Sequence, residues 1–137
     1  MNTFNVFKVS ASALDAQRQR MNVIASNMAN VHSTKTDEGG PYRRKDVIFS
    51  ASDMQSDSDT LIGVKVVDVV ADSTPFRTVY DPGHPDADKD GYVAMPNIDI
   101  IEEMVNMMMS FRAYEASVAT FNITKSMIMK TLELGRV

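Results

Sequence analysis

Apolar residues recur at intervals of seven near both ends of this 137-residue chain, and they do not do so in the middle. The first series consists of Phe7, Leu14, Met21 and Met28, and the second consists of Met104, Phe111, Val118 and Leu132. Apolar residues also stand three positions after 104, 111, 118 and 125, namely Met107, Tyr114, Phe121 and Ile128, although position 125 itself is a lysine. This spacing predicts a long helix with a coiled-coil-like seam at each terminus.

The two helices have recognisable limits in the sequence. The first is expected from Thr3 to Asn30, a stretch that contains neither Gly nor Pro. The second is expected to begin at a cap, Asn97 or Asp99, and to run to Leu134, with Gly135 as its stop. Because the helices flank everything else, the simplest topology is an antiparallel pair with both termini at one end.

The segment between the helices is rich in turns and short strands. Strands are predicted over 46–50, 64–71, 77–80 and 92–95, forming one small antiparallel sheet, and residues 50–60 are predicted to be a mobile acidic loop. The predicted fold class is therefore α+β, with two long terminal helices packed as an antiparallel coiled-coil-like pair around a small antiparallel β insert. The predicted divisions are 1–31, 32–96 and 97–137.

Composition excludes several classes of protein. Residues 51–100 contain three Lys or Arg against ten Asp or Glu, and an insert that acidic is poorly suited to nucleic acid. The chain has no cysteine, so disulfides and Cys-based metal sites are excluded. It also has no run of 18 apolar residues, so no membrane insertion is expected. The N-terminus lacks the pattern of a cleaved secretory signal.

The second helix carries more apolar surface than one seam can cover. Ile101, Val105, Met108 and Met109 lie beside the stripe that contains Met104. Contiguous apolar surface of this kind usually marks a partner surface, and methionine adapts to different neighbours. The sequence therefore predicts that the terminal helices are covered within an assembly.

Several motifs resemble those of bacterial flagellar rod and hook proteins. The N-terminal resemblance lies in residues 12–17 and 24–30, and it continues in Pro41-Tyr42-Arg43-Arg44. Further similarity lies in residues 80–88, 91–99, 103–104, 112–116 and 132–137. The middle motifs and the short length are most similar to the proximal rod members of this family.

This resemblance implies a structural, non-enzymatic subunit of the flagellar basal-body rod, which assembles into a helical tube and transmits torque from motor to hook. It implies partners that are copies of the chain and other rod proteins, and passage through the flagellar type III export apparatus without a cleaved signal. The resemblance also implies a location in the basal-body rod, in the periplasm of a Gram-negative cell. No cofactor is implied.

We expect the subunit interface to be formed by residues of the two helices. Asn27 and Asn30 either simply end the first helix or, as we favour, fix register between subunits. The predicted interface residues are Phe7, Leu14, Met21, Asn27, Met28, Asn30, Met104, Met107, Met108, Phe111, Tyr114, Val118, Phe121, Ile128 and Leu132. The basic run Arg43-Arg44-Lys45 either protects a solvated strand edge or meets acidic groups of a neighbour.

Other functions have weaker signals. A soluble helical binding module of another secretion-type assembly is the alternative reading of the two seams. Residues 86–91 copy the opening of a calcium loop, but Asn97 stands at the twelfth position and no helix precedes the loop. His32 and His84 have no ligand spacing, and no nucleophile with an oriented base is evident. We therefore predict neither a metal site nor a catalytic site.

Overall fold

A computed structural model describes residues 3–56 and 59–135. Its elements in chain order are α1 (Thr3–Ala29), β1 (Lys45–Ser56), β2 (Asp59–Ala71), β3 (Arg77–Tyr80), β4 (Tyr92–Met95) and α2 (Ile100–Leu134). Two long helices thus flank a β-rich insert, which confirms the predicted α+β class. No helix of this described part is both long and apolar enough to cross a membrane.

The two helices lie antiparallel. Near the start of α1 the Phe7 ring packs against the Phe121 ring of α2, with centroids 4.7 Å apart. Near the end of α1, Asn27 is hydrogen-bonded to Glu103 in the first turn of α2. Ala16 and Ile24 are buried along α1. The seam therefore runs along most of α1.

Local chemistry explains where α2 begins and ends. The Asp99 side chain accepts hydrogen bonds from the amides of Ile101 and Glu102, which makes it the N-cap that satisfies otherwise unpaired donors. At the other end Gly135 follows the last turn, and its amide donates to the carbonyl of Thr131. Both limits agree with the sequence pattern.

The β1–β2 hairpin is longer than the sequence indicates. Residues 50–60 were expected to form a loop, but β1 continues through Ser56 and β2 already begins at Asp59. The strands stay paired because apolar partners such as Ala51 with Val64 and Met54 with Leu61 face each other across the ladder. Residues 57 and 58 lie outside the described residues, and the predicted mobility of this segment stays a prediction.

The insert contains two separate two-stranded sheets, β1–β2 and β3–β4, instead of the single sheet that was predicted. The chain leaves the first sheet after Ala71, where Arg43 holds the carbonyls of Asp72 and Thr74. In the second hairpin Val93 is buried, and so is Ile98, which follows β4. The two hairpins are therefore anchored independently.

The first hairpin packs along α1. Gly63 of β2 comes so close to α1 that a Cβ atom there would overlap the Met54 methyl group and lie 2.8 Å from Ser12 Oγ. The Val64 amide donates to the same Ser12 oxygen. The α1 helix therefore contacts both the β1–β2 hairpin and α2.

Candidate assembly surface

A buried asparagine lies at the junction of the helices and the insert. Asn27 has no exposed surface. Its Nδ2 donates to the Lys45 carbonyl at 2.8 Å and to Glu103 Oε2 at 3.0 Å. Its Oδ1 accepts from the Lys45 amide at 3.0 Å and from the Tyr42 hydroxyl at 3.2 Å. One amide side chain therefore joins α1, the base of β1 and α2.

An ion pair completes this junction. Glu103 is fully buried, and its Oε1 accepts a hydrogen bond from Arg44 Nε at 2.7 Å. The guanidinium also lies 3.5 Å from Asp46, 3.8 Å from Asp72 and 4.0 Å from Glu102. Burial acts to lower the pKa of Arg44, but the bond to Glu103 and the surrounding carboxylates outweigh burial and raise it. The cation is thus held by several acidic groups of its own chain.

The segment that follows β2 is fastened to the same junction. Asn97 Oδ1 accepts from the Arg44 amide at 3.0 Å, and its Nδ2 donates to Thr74 Oγ1 at 2.7 Å. Hydrogen bonds from Thr74 lower the pKa of Asp72, and the nearby arginines lower it further. We call Asn27, Tyr42, Arg44, Asn97 and Glu103 the polar junction.

The polar junction corrects two predictions. Asn27 cannot fix register between subunits in this conformation, because all of its hydrogen-bonding groups are used inside the chain. Arg44 finds its acidic partners within the chain, and Arg43 lies over the Phe76 ring at 4.2 Å. Arg43 and Arg44 are thus engaged within the chain, whereas Lys45 is exposed on β1, and the two alternatives stay open for it.

Of the polar junction, only Asn27 was among the predicted site residues, because the junction joins residues from separate motifs. Asn27, Tyr42 with Arg44, Asn97 and Glu103 come from distant segments that all belong to the motifs quoted for the family resemblance. Polar residues spread over several such motifs are the signal that would have indicated a shared contact. Asn30 Nδ2 donates to the Ser26 carbonyl at the end of α1, and its predicted part in register between subunits stays a prediction.

The side of α2 that faces away from α1 is apolar and uncovered. Ile101 is 70% exposed, Met108 is 61% exposed and Phe111 is 51% exposed. We call this surface the α2 outer face; it consists of Ile101, Met104, Val105, Met108, Met109 and Phe111. These residues are spaced three or four positions apart over about the first three and a half turns of α2, so they form one continuous patch.

The predicted interface residues fall into three groups. Met104, Met108, Phe111 and Leu132 are exposed. Those that are partly covered, mostly in or beside the α1–α2 seam, are Phe7, Leu14, Met21, Met28, Asn30, Met107, Tyr114, Val118, Phe121 and Ile128. Asn27 is buried. The heptad series thus contains residues with two different environments, and only the exposed group is fully available to another molecule.

A second uncovered region lies near the far end of α2. A groove of about 420 Å³ is lined by Val6 of α1 and by Thr124, Met127, Ile128, Thr131 and Leu132 of α2. Most of these side chains are apolar, and Met127 and Leu132 are exposed. Apolar surface is thus uncovered at both ends of α2.

The total exposed area of the chain is large for its mass. The chain exposes 9722 Å², whereas a compact monomer of 15.2 kDa exposes roughly 7,100 Å². The excess of roughly 2,600 Å² is about three times the share that one partner contributes to an interface of standard size. The shape is therefore suited to a subunit with several neighbours.

The calcium-like segment is held as a polar turn. Asp88 Oδ1 accepts from the amides of Asp90 and Tyr92, and Asp86 Oδ2 accepts from the Thr34 hydroxyl. Gly91 has a φ of 81°, which a side chain would disfavour. In the residues that the structure describes, no group of three His, Cys, Asp or Glu is placed to hold a metal ion.

Two family models match this chain. A model described as flagella basal body rod protein matches residues 7–34, which cover most of α1. A model described as flagellar basal body rod FlgEFG protein C-terminal matches residues 89–134, which cover β4 and α2. The matched regions thus contain both helices.

Similar proteins match over nearly the full length. A protein of Escherichia coli O6:H1 named flagellar basal-body rod protein FlgC is 47% identical over 136 residues, covering 99% of this chain and all of the relative. Proteins of the same name from Bacillus subtilis and Borreliella burgdorferi are 43% and 38% identical, and they cover 99% and 98% of this chain. The alignments cover all of the first relative and 98% of the second. None of these matches supports the alternative of a soluble binding module.

Proposed function

This chain belongs to the FlgC family of flagellar basal-body rod proteins, and from this premise we propose that it enters the rod by burying the α2 outer face against neighbouring subunits. It is a structural subunit of the bacterial flagellar basal-body rod, and it assembles with other flagellar rod proteins. The proposal concerns which surface makes the contacts.

The large exposed area is the observation that carries this proposal. The excess over a compact monomer is too large for one pairwise contact of standard size. The α2 outer face contributes six exposed large apolar residues to this surface, and its methionines can fit neighbours that differ from one another. Contact with several subunits would remove this surface from water.

The arrangement also suits a helical tube that transmits torque. Contacts between different patches of successive subunits do not close on themselves, so they generate a filament. The predicted interface residues remain our proposal for these contacts, except Asn27, which is buried inside the chain. Met104, Met108, Phe111 and Leu132 are exposed, and we propose that they make the first contacts.

The location in the basal-body rod has further consequences. We propose that the chain lies in the periplasm of a Gram-negative cell and arrives through the flagellar type III export apparatus without a cleaved signal. The absence of cysteine is compatible with passage between compartments of different redox state. We also propose that its role is structural, with no catalytic reaction and no cofactor.

A charged substitution on the α2 outer face tests the proposal. Phe111→Asp places a carboxylate on a side chain that is half-exposed in the single chain, so we expect the folded chain to persist. Assembly should fail, because burying an unpaired carboxylate in an apolar contact is costly. The measurement is incorporation into purified basal bodies and motility, in a strain that lacks its own copy of this protein.

Val67→Asp is the matched control. Val67 is 57% exposed but lies on β2, away from the α2 outer face. Circular dichroism of both purified variants reports whether they fold. Normal motility and incorporation of the Phe111 variant would contradict the proposal, and so would an equal loss with the Val67 variant.

A further inference from the structure

The β1–β2 hairpin has two long edges that face away from its own ladder. In an antiparallel pair, successive amides point alternately toward the partner strand and away from it. The Asp72 amide donates to the Arg44 carbonyl across the base of the hairpin, which fixes this alternation. Asp46 and Val70 therefore face each other, and the amides of Val47 and Val69 point outward.

Two aspartates accept hydrogen bonds from these outward-pointing amides. Asp46 Oδ1 accepts from the Val47 amide at 2.8 Å on the edge of β1. Asp68 Oδ1 accepts from the Val69 amide, also at 2.8 Å, on the edge of β2. Val47 and Val69 are paired in the register, so the two amides that these aspartates occupy lie at the same level on opposite edges.

Side chains of α1 occupy two more edge amides. The Lys45 amide donates to Asn27 Oδ1 at 3.0 Å, and the Val64 amide donates to Ser12 Oγ at 3.2 Å. On each edge, therefore, outward-pointing backbone amides donate hydrogen bonds to side chains of the same chain. Asp46 and Asp68, by contrast, are exposed side chains of the two strands themselves.

These edges would otherwise favour pairing with another strand. The neighbouring positions on β2 are apolar and exposed, with Val67 and Val69 both more than two-fifths exposed. An exposed apolar edge with free amides is a template for a strand of a second molecule. Subunits that are packed side by side in a rod would bring such edges close together.

We propose that Asp46 and Asp68 close the two edges of the hairpin to strands of other copies of this chain. Each carboxylate occupies a donor that an incoming strand would need, and its charge would have to be buried by that strand. Neighbouring subunits are thereby directed to helix contacts and away from edge-to-edge sheet formation. The inference rests on the hairpin alone, so it can fail or hold independently of the α2 outer face.

The test compares Asp68→Ala with Asp68→Asn in the full-length chain. The alanine variant frees the Val69 amide, whereas asparagine keeps an oxygen that can accept it. Native-state hydrogen exchange should show faster exchange of the Val69 amide in the alanine variant after correction for sequence. Infrared spectra of the alanine variant should gain the amide band of intermolecular β-sheet with rising concentration, and the asparagine variant should gain much less.

Asp53→Ala is the matched control for charge. Asp53 is an exposed aspartate of β1 paired with Ile62, so its removal changes the net charge equally. An equal infrared change in this variant would overturn the proposal, as would unchanged Val69 exchange in Asp68→Ala. If Asp68→Ala does not fold, Asp46→Ala and Asp46→Asn provide the same comparison at Val47 on the opposite edge.

Discussion

Glu103 is a buried acidic residue on which two other segments depend. It is fully buried, and its two oxygens are bonded to side chains from α1 and from the start of β1. A buried carboxylate without partners is strongly unfavourable. The residues around Glu103 are therefore a more sensitive test of the fold than any single apolar side chain.

Arg44→Ala should destabilise the chain by about 3–5 kcal/mol, because it leaves Glu103 without its charged partner. The measurement is the midpoint of urea unfolding followed by circular dichroism, with the slope of the transition checked for change. Tyr42 and Asn27 remain in this variant. The lost free energy of unfolding therefore reports the missing ion pair together with the void that the arginine side chain leaves.

Arg18→Ala is the comparison for this substitution. Arg18 pairs with Asp15 at 2.7 Å, but both side chains are more than half exposed, so the loss should be less than about 1 kcal/mol. Equal midpoints for the two variants would show that the buried pair adds nothing beyond a surface pair.

At the residue scale, the sequence predicted the N-cap of α2 better than it predicted hydrogen-bond partners that are distant along the chain. Asp99 was predicted as one of two caps because an aspartate before a helix has few other roles. The bond between Asn27 and Glu103 joins residues 76 positions apart. Neither periodicity nor local composition carries information on such a contact, so the polar junction could not be derived from spacing.

The contact between the β1–β2 hairpin and α1 depends on a close approach at the scale of elements. Gly63 faces Ser12, and Ser12 is itself fixed by bonds to the Val9 carbonyl and the Val64 amide. The Met54 methyl group can move aside, but Ser12 has little freedom. The space at Gly63 therefore sets the distance between hairpin and helix.

Gly63→Ala should weaken this contact and destabilise the chain by about 1–3 kcal/mol, because an added methyl group overfills a packed site. Hydrogen exchange of the Val64 amide should accelerate more than that of amides in the polar junction. Denaturant unfolding gives the total loss.

Gly83→Ala is the control for the smaller backbone entropy that any glycine replacement brings. The nearest atom to a Cβ at Gly83 is 3.6 Å away, which is an ordinary contact. The role assigned to Gly63 is wrong if the two alanine variants have equal stability and equal Val64 exchange.

The sequence predicted the bounds of the helices better than those of the strands. Both helices were predicted within about a turn at each end, because a heptad pattern over many residues outweighs local noise. The strands from 50 to 60 were missed because Ser, Asp and Gln favour loops by composition. Here cross-strand pairing and the neighbouring helix outweigh that preference.

At the scale of the whole molecule, stability should be uneven along α2. Its first turns are fixed by the polar junction and contain the buried Glu103 and Ser110. Beyond Phe121 most side chains are exposed, and Ile123, Met127 and Leu134 are each more than half exposed. Neighbouring subunits would be needed to hold the latter part of the helix.

Hydrogen exchange of the dilute, unassembled chain should therefore show a gradient. We expect the slowest amide exchange in α2 between Glu103 and Ser110, and exchange at least tenfold faster beyond Ile128, because few contacts oppose local opening there. Assembled basal bodies should show protection along the whole helix. Uniform protection in the dilute chain would contradict this expectation.

The sequence predicted the antiparallel pair and the need for an assembly, because both follow from the position and the amount of apolar surface. It did not predict that α1 packs between α2 and the β1–β2 hairpin. That arrangement follows from particular contacts at Ser12 and Asn27, which no pattern along the chain reveals.

The polar junction has a mechanical consequence for two helices that would otherwise meet along a smooth apolar seam. Sliding α2 along α1 by one turn, about 5.4 Å, would pull Glu103 off both Asn27 and Arg44. The separated carboxylate would remain in a dry site, at a cost of several kcal/mol. Under a shearing load the pair would thus resist slippage, and each subunit would turn as one rigid piece.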